Sequence, residues 1–415
     1  MGVHHDDNGR RPVTRDQREV TVTVVMPCLN EAASVGSCVV EAQQAMQRLG
    51  LTGEVIVADN GSVDDSPAIA ERAGARVVTE PIRGYGSAVQ AGCRAAAGRF
   101  IVIGDADHSY DFSEIGLLIA ALEAGADLVL GSRFKGRILP HAMPWKNRYI
   151  GNPLLTFALR VLFRARGISD AHSGLRAVTR DAFELLQLRT LGMEFASEMI
   201  VRASRLRLSI AEVPITLRPA LRRRAPHLRP WRDGWRHLKF MLMFAPGALF
   251  LGPGAVLMFA GLALLGSQVF APADSALRLG QMRLGFHWAI LGSLFCVASY
   301  QLVNAYFFAR IYSVTHDLKT SDPFLSRAFG FISLERALAL GLVVSVVGVG
   351  LLGYVLAMWI GSGFGSLSFR LTRLVIFGAT LFAIGVQTVT NAFVFSIIGD
   401  RYQRTLMYGR SDLSR

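Results

Sequence analysis

The stretch Phe100-Ile101-Val102-Ile103-Gly104-Asp105-Ala106-Asp107-His108-Ser109-Tyr110 decides how the chain is read. Its first four residues form a continuous apolar run, the pattern of a strand buried on both faces. Gly104 ends the run, and two carboxylates follow at i and i+2. On an extended segment that spacing turns both side chains to one side. There they can share a hard cation, Mg²⁺ or Mn²⁺, which keeps positions open for substrate phosphates. An Asp-rich turn closing a strand is the competing explanation, because aspartate readily bonds its own backbone in turns.

The flanking elements repeat the theme. Val20 to Met26 is a β-branched run and predicts a first strand, broken at Pro27-Cys28-Leu29-Asn30-Glu31. Ser34 then caps an apolar-periodic helix ending near Leu49. Glu54 to Asp59 predicts a second strand, closed by Asn60-Gly61-Ser62, with a helix starting near Asp64 and Asp65. Ala75 to Thr79 is a short third strand; Gly84-Tyr85-Gly86-Ser87 reads as a turn into an Ala-rich helix. The opening stretch supplies the fourth strand and Asp127 to Arg133 a fifth. Glu212 to Leu217, interrupted by Pro214, has the signature of an edge strand.

Between the fifth strand and that edge, Lys146 to Arg166 predicts a helix over the sheet, carrying Arg148. Asp170-Ala171-His172-Ser173-Gly174-Leu175-Arg176-Ala177 follows. Helices are then expected over Asp181–Leu188 and from Met193, where Glu194 and Glu198 share a face. Strands alternating with helices imply crossover units and a mostly parallel, Rossmann-like sheet. Ligands bind beyond the carboxyl ends of such strands. Four of those ends carry polar groups: Asn30 and Glu31, Asp59, Asp105 and Asp107, and Ser132 with Arg133.

The remainder of the chain is of another kind. A net charge of +13 over 415 residues, 51% hydrophobic residues and a mean hydropathy of +0.36 point to a membrane protein with a basic face. Arg202 to Lys239 holds eleven Arg/Lys against Glu212 and Asp233, a net +9. Trp231, Trp235, Leu238 and Leu242 recur there at helical spacing with Arg232, Arg236 and Lys239 between them. Aromatic residues interleaved with cations suit a helix lying in the membrane interface. Nucleic acid is excluded as a partner, since the charge abuts apolar spans and forms no base-stacking stripe.

Four apolar stretches follow, Phe244–Gly266, Phe286–Ala309, Ala337–Ile360 and Leu374–Ile398, each near the ~20 residues that cross a bilayer. Asn304, Gln387 and Asn391 inside them are expected to bond between helices. Arginine and lysine in the loop 310–336 and the tail 401–410 outweigh those in the two opposite loops. A plasma or inner membrane protein with its globular domain in the cytoplasm is the expectation. Cys28, Cys38, Cys93 and Cys296 show neither metal spacing nor a disulfide framework, which fits a reducing compartment. The expected organisation is a disordered tail at 1–19, a globular domain at 20–220, a basic interfacial segment at 221–243 and a four-helix membrane domain at 244–415. Self-association stays open.

The ordered set Met26-Pro27-Cys28-Leu29-Asn30-Glu31, Asp59-Asn60-Gly61-Ser62, Asp105-Ala106-Asp107, Gly131-Ser132-Arg133 and Ser173-Gly174-Leu175-Arg176-Ala177 resembles the family 2 glycosyltransferases with the GT-A fold. Within them it is similar to the dolichol- or polyprenyl-phosphate mannosyl/glucosyl synthases. The resemblance covers residues 20–240. It implies that Pro27, Asn30, Glu31 and Asp59, with Asp105, bind the nucleotide of a UDP- or GDP-hexose. Asp105 and Asp107 would hold Mg²⁺ or Mn²⁺, and Arg133 and Arg148 would meet the donor or lipid phosphate. Ser173 and Arg176, with Arg133, would face a polyprenyl phosphate acceptor. The chain departs from many relatives at Ser109, where they carry glutamine. Its Trp-Arg pairs, Trp231-Arg232 and Trp235-Arg236, do not make the Gln-x-x-Arg-Trp motif of the processive polysaccharide synthases. A non-catalytic subunit binding nucleotide or lipid is the alternative from another class.

Overall fold

A computed structural model describes residues 20–165, 167–221, 230–269, 277–279, 282–315 and 333–408. The tail at 1–19, the run Arg222, Arg223, Arg224 and Arg229, and Lys319 and Arg327 lie outside the described residues. The chain divides into two units, Met1–Met241 and Leu242–Arg415.

The first unit is built on one seven-stranded sheet of order β3-β2-β1-β4-β6-β5-β7. Its strands are β1 (Val22–Cys28), β2 (Gly53–Asp59), β3 (Arg76–Thr79), β4 (Phe100–Ile103), β5 (Leu128–Ile138), β6 (Arg176–Thr179) and β7 (Ile210–Leu217). All pairings but those of β6 are parallel. Helices α1 (Val35–Arg48), α2 (Ser66–Arg72), α3 (Tyr85–Ala95), α4 (Ile115–Glu123), α5 (Asn152–Phe163), α6 (Arg180–Leu186) and α7 (Phe195–Leu206) complete it. The four residues of β4 are fully buried, as their unbroken apolar run requires. The core they centre takes Val22, Val24 and Met26 from β1 and Val35, Cys38 and Val39 from α1.

Three expectations are corrected here. Pro27 does not break β1; it pairs with Ala58 inside the strand. The β1–β4 ladder ends at Val25 and Ile103, so no carbonyl waits for the N–H that proline lacks. The fifth strand does not stop at Arg133 but runs to Ile138, with a register shift between Ser132 and Arg137. Residues 170–177, read from sequence as a motif without secondary structure, end in β6, which inserts antiparallel between β4 and β5.

α8 (Pro230–Phe244) carries the Trp-Arg stretch. In the second unit, helices Gly247–Gln268, Phe286–Ile311, Leu334–Gly361 and Phe369–Ile397 are long and apolar enough to cross a membrane. The third and fourth pack through glycine: a Cβ on Gly348 would stand 2.5 Å from Phe382 N, and one on Gly385 2.4 Å from Ser345 Oγ. Among the described residues Asn304 makes no hydrogen bond between helices. Its Nδ2 turns back to Tyr300 O at 2.7 Å in its own helix. The second and fourth spans are instead bridged by Ser293–Thr380 at 2.6 Å and Tyr300–Thr388 at 2.7 Å.

Candidate active site

Register, more than sequence proximity, builds the site. Arg176 begins β6 and pairs with Ile103, the last residue of β4, on one side and with Leu130 on the other. Asp105 therefore leaves the sheet beside the start of β6. β5 continues past that level, which sets Ser132 and Arg133 beyond the edge where β4 ends. The mid-strand position of Ser132 and Arg133 is thus compatible with a place among the strand tips.

Asp105 follows the end of β4 and Asp107 lies in the turn after it, so the two are not on one extended strand and the alternation argument does not orient them. Tertiary contacts do. A Cβ on Gly174 would lie 2.6 Å from Asp105 Oδ2 and 2.9 Å from the Tyr110 ring. Glycine there leaves room beside the carboxylate. Tyr110 Oη in turn accepts from Gly174 N at 2.6 Å. Asp107 is buried, its Oδ1 accepting from Ser109 N at 3.0 Å. The backbone of this turn is clamped from two directions: Ser34 Oγ donates to Ala106 O at 2.8 Å and Leu221 N to Asp107 O at 3.1 Å. Ser34 precedes α1 as expected, but its hydroxyl serves this loop instead of capping the helix.

The first two strand tips interlock. Asn30 adopts a left-handed backbone, φ 55°, which asparagine tolerates better than most residues. Its Oδ1 accepts from Val63 N at 2.7 Å and its own N–H donates to Ser62 Oγ at 2.8 Å. Glu31 N donates to Ser66 Oγ at 2.7 Å, and Asp59 Oδ2 accepts from Gly61 N at 3.1 Å. Asn60 organises the next loop, bonding Glu80 O, Ile82 O and Gly84 N at 2.9, 2.8 and 2.7 Å. Pro27, Asn30, Glu31 and Asp59 thus frame one end of the sheet edge, with Asp105 and Asp107 in the middle.

The basic residues are held differently from one another. Arg133 sits in a buried two-point pair with Asp170, Nε to Oδ2 and Nη2 to Oδ1 both at 2.7 Å. With Arg133 9% and Asp170 0% exposed, this is an interior pair and not a surface ion pair. Arg176 is 2% exposed and donates to Ala196 O at 3.3 Å and to Ser173 O. Burial lowers its pKa, opposed by Tyr85, Tyr110, Asp105 and Asp170. Ser173 Oγ is buried with no hydrogen-bond partner among the described residues. Arg148 stands in the turn before α5, its guanidinium 5.5 Å from the Tyr149 ring.

Four participants escaped the sequence reading. Tyr85, dismissed there as part of a turn, opens α3; burial and then the Asp105 carboxylate raise its phenol pKa well above the usual value. Its flanking glycines were the available signal: a Cβ on Gly84 would meet Leu191 O at 2.0 Å. His172, Ser197 and His237 form a chain in the interior, His172 Nε2 to Ser197 Oγ at 3.1 Å and Ser197 Oγ to His237 Nδ1 at 2.8 Å. Glu198, placed by the sequence on one helix face with Glu194, pairs with Arg202 at 2.7 Å and accepts from Thr190 N at 2.8 Å.

Residues 23–186 match the family model for glycosyl transferase family 2, and residues 307–399 match its C-terminal transmembrane region. The low-salt glycan biosynthesis hexosyltransferase of Haloferax volcanii is 39% identical over 401 residues, 96% of this chain and 94% of that protein. The chain belongs to glycosyltransferase family 2. This glycosyltransferase is also 31% identical to the dolichyl-phosphate hexose transferase of Haloferax volcanii, over 48% of this chain and 82% of that one. Glucosyl-3-phosphoglycerate synthase from Mycobacterium tuberculosis, crystallised with Mn²⁺, UDP-glucose and phosphoglyceric acid, is 26% identical over 56% of this chain and 84% of its own. Its TM-score of 0.44 is too low to carry residues across.

Proposed function

We propose that this glycosyltransferase moves a hexose from a nucleoside-diphosphate sugar to a polyprenyl phosphate at the cytosolic face of the membrane, with inversion. The observation that carries the proposal is the register of Arg176 on Ile103, which sets a guanidinium and the unpartnered Ser173 hydroxyl beside the aspartate turn. The name of the dolichyl-phosphate relative and the four apolar helices support a lipid acceptor.

In this reading Pro27, Asn30, Glu31 and Asp59 receive the nucleoside. Asp105 and Asp107 would hold Mg²⁺ or Mn²⁺ between them and the diphosphate. Among the described residues no cluster of three or more His, Cys, Asp or Glu could hold a metal. Two carboxylates with substrate oxygens completing the shell is the arrangement that suits a hard cation. The space that Gly174 leaves open at Asp105 Oδ2 fits that use. When bound, the ion supplies charge stabilisation for the departing diphosphate.

The chain's own groups act around it. Ser173 Oγ and Arg176 orient the acceptor phosphate. One of its oxygens forms the bond to the anomeric carbon as the bond to the nucleoside diphosphate breaks. That oxygen is already ionised near neutral pH, so no general base is required. Arg133 spends two N–H groups on Asp170, so its role is to set the β5 wall and to offer its remaining N–H groups to phosphate. Arg148 would reach phosphate from the turn before α5.

Transfer of labelled sugar from a panel of nucleotide sugars to short polyprenyl phosphate, with Mg²⁺, Mn²⁺ or chelator, tests this. Label should enter the lipid fraction only with a divalent ion, and Asp107→Asn should lower the rate about 100-fold, as losing a preorganised charge does. A full metal-dependent rate for Asp107→Asn, or label that never enters lipid, overturns the proposal.

A further inference from the structure

The chain leaving β7 lies along the aspartate turn. Leu217 forms an antiparallel bridge with Tyr110, Arg218 N donates to Ser109 O at 2.8 Å, and Leu221 N donates to Asp107 O at 3.1 Å. Residues 217–221 thus form a strap along residues 107–110. The turn beneath it has an unusual backbone. His108 is left-handed, φ 66°, a conformation that residues other than glycine adopt uncommonly. Ser109 links strap and carboxylate: its N–H donates to Asp107 Oδ1 at 3.0 Å, while its carbonyl accepts from Arg218 N.

Arg218 holds the same region with its side chain. Nη1 donates to Glu41 Oε1 on α1 at 3.0 Å, and Nη2 pairs with Asp111 Oδ2 just past the turn. Asp111 Oδ1 accepts from Ser113 N at 3.0 Å, which fixes it at the start of the helical turn Phe112–Glu114 leading into α4. One guanidinium therefore ties α1, the end of the aspartate turn and the strap. An isolated exposed ion pair would matter little. Here two carboxylates share one cation: burial and then Asp111 raise the Glu41 pKa, and Arg218 opposes them. Without the arginine, Glu41 and Asp111 face each other as like charges, and the end of the turn is pushed away from α1.

We infer that Arg218 is a positioning residue for the aspartate turn, its main chain and side chain together setting where Asp107 presents its carboxylate to a divalent ion. The inference rests on the reading of Asp105 and Asp107 as metal ligands and adds a residue that acts through them.

The test titrates the full chain, in uncharged detergent, with Mn²⁺ alone, and reads free Mn²⁺ by electron paramagnetic resonance. Hydrogen exchange of the metal-free protein follows residues 217–221 separately. Arg218→Ala should weaken Mn²⁺ binding about 10-fold, the scale on which lost support of a metal ligand acts. The amides of residues 218 and 221 should lose their protection, while the unfolding temperature stays close to that of the unaltered chain. Adding Glu41→Gln to Arg218→Ala removes one of the two like charges and should recover part of the affinity. Unchanged Mn²⁺ affinity or unchanged protection in Arg218→Ala overturns the inference. So does exchange that rises across the whole sheet with a lowered unfolding temperature, which makes Arg218 a general stabiliser. Asp107→Asn separates the two readings. If it binds Mn²⁺ as tightly as the unaltered chain, the metal reading fails and takes this inference with it. If it binds weakly while Arg218→Ala does not, this inference alone fails.

Discussion

Arg133 and Asp170 meet inside the protein through three hydrogen bonds, two from the guanidinium at 2.7 Å and one from Arg133 N at 3.0 Å. Asp170 is fully buried and Arg133 nearly so. The pair ties β5 to the segment that delivers Ser173, Gly174 and Arg176, so it fixes one wall of the site to another. Removing one partner strands a buried charge. Arg133→Ala or Asp170→Asn should therefore cost about 3–5 kcal/mol, read as a lowered unfolding temperature of the purified protein. Arg133→Lys keeps the charge but cannot form the fork, and should lie between them and the unaltered chain.

Gly174 offers a sharper probe of the aspartate turn. Alanine there puts a methyl group 2.6 Å from Asp105 Oδ2, so the carboxylate has to move. The backbone of Gly174 is not among the positive-φ glycines, so the added methyl group meets side chains and not backbone strain. Gly174→Ala should raise the divalent-ion concentration needed for half-maximal transfer about 10- to 100-fold, the range seen when a ligand's support is disturbed. Unfolding temperature should barely change. A metal titration of the transfer rate checks it.

The parts of this site that sequence reveals are those written in consecutive residues. Phe100–Ile103 announces a buried strand because it has no polar residue to alternate with. Asn30, Asp59 and Asp105 stand at real strand ends for the same reason: polar groups follow apolar runs. β6 was invisible because it is four residues long and starts with an arginine whose burial depends on partners elsewhere. The far half of β5 was missed because Lys135, Gly136 and Arg137 look like a loop, though Gly136 lies so close to Ile215 that a Cβ would reach 2.0 Å from its carbonyl oxygen. Arg133 and Asp170 are 37 residues apart, and no local pattern announces their pairing.

The spans were legible by length alone, but their pairing was not. Gly341, Gly348, Gly378 and Gly385 lie in the contact between the third and fourth spans, where backbones approach so closely that a Cβ on Gly348 would stand 2.5 Å from Phe382 N. Small residues are what permits such packing in lipid. Gly348→Val should cost about 1–3 kcal/mol through overpacking, measured as reduced thermal stability in detergent. Gly350→Val, at a position with open space, should not.

His172, Ser197 and His237 join the motif around Ser173, helix α7 and helix α8 in one buried chain, with the two imidazoles 4.6 Å apart, edge to face. Burial pushes His237 down to about 4, against the upward pull of Asp233 and with the help of Arg176. Burial, then His237, Arg176 and Arg133, hold His172 well below the usual histidine value. The folded protein therefore keeps both rings neutral at pH values where the unfolded chain takes up protons. With ν larger in the unfolded state, stability rises with pH through this window. Their contribution is complete above the ordinary histidine pKa of about 6.5 and is lost as the pH falls through about 4. A chain of thermal melts from pH 7 to 4 should show a falling unfolding temperature, and His237→Gln, which keeps a polar group near Ser197 without a titrating ring, should flatten the slope. An unchanged slope in His237→Gln would assign the acid sensitivity to other groups. Because His237 is on α8, acid should also release that helix from α7 before the sheet unfolds, visible as early loss of protection from hydrogen exchange at Ser197 and its neighbours.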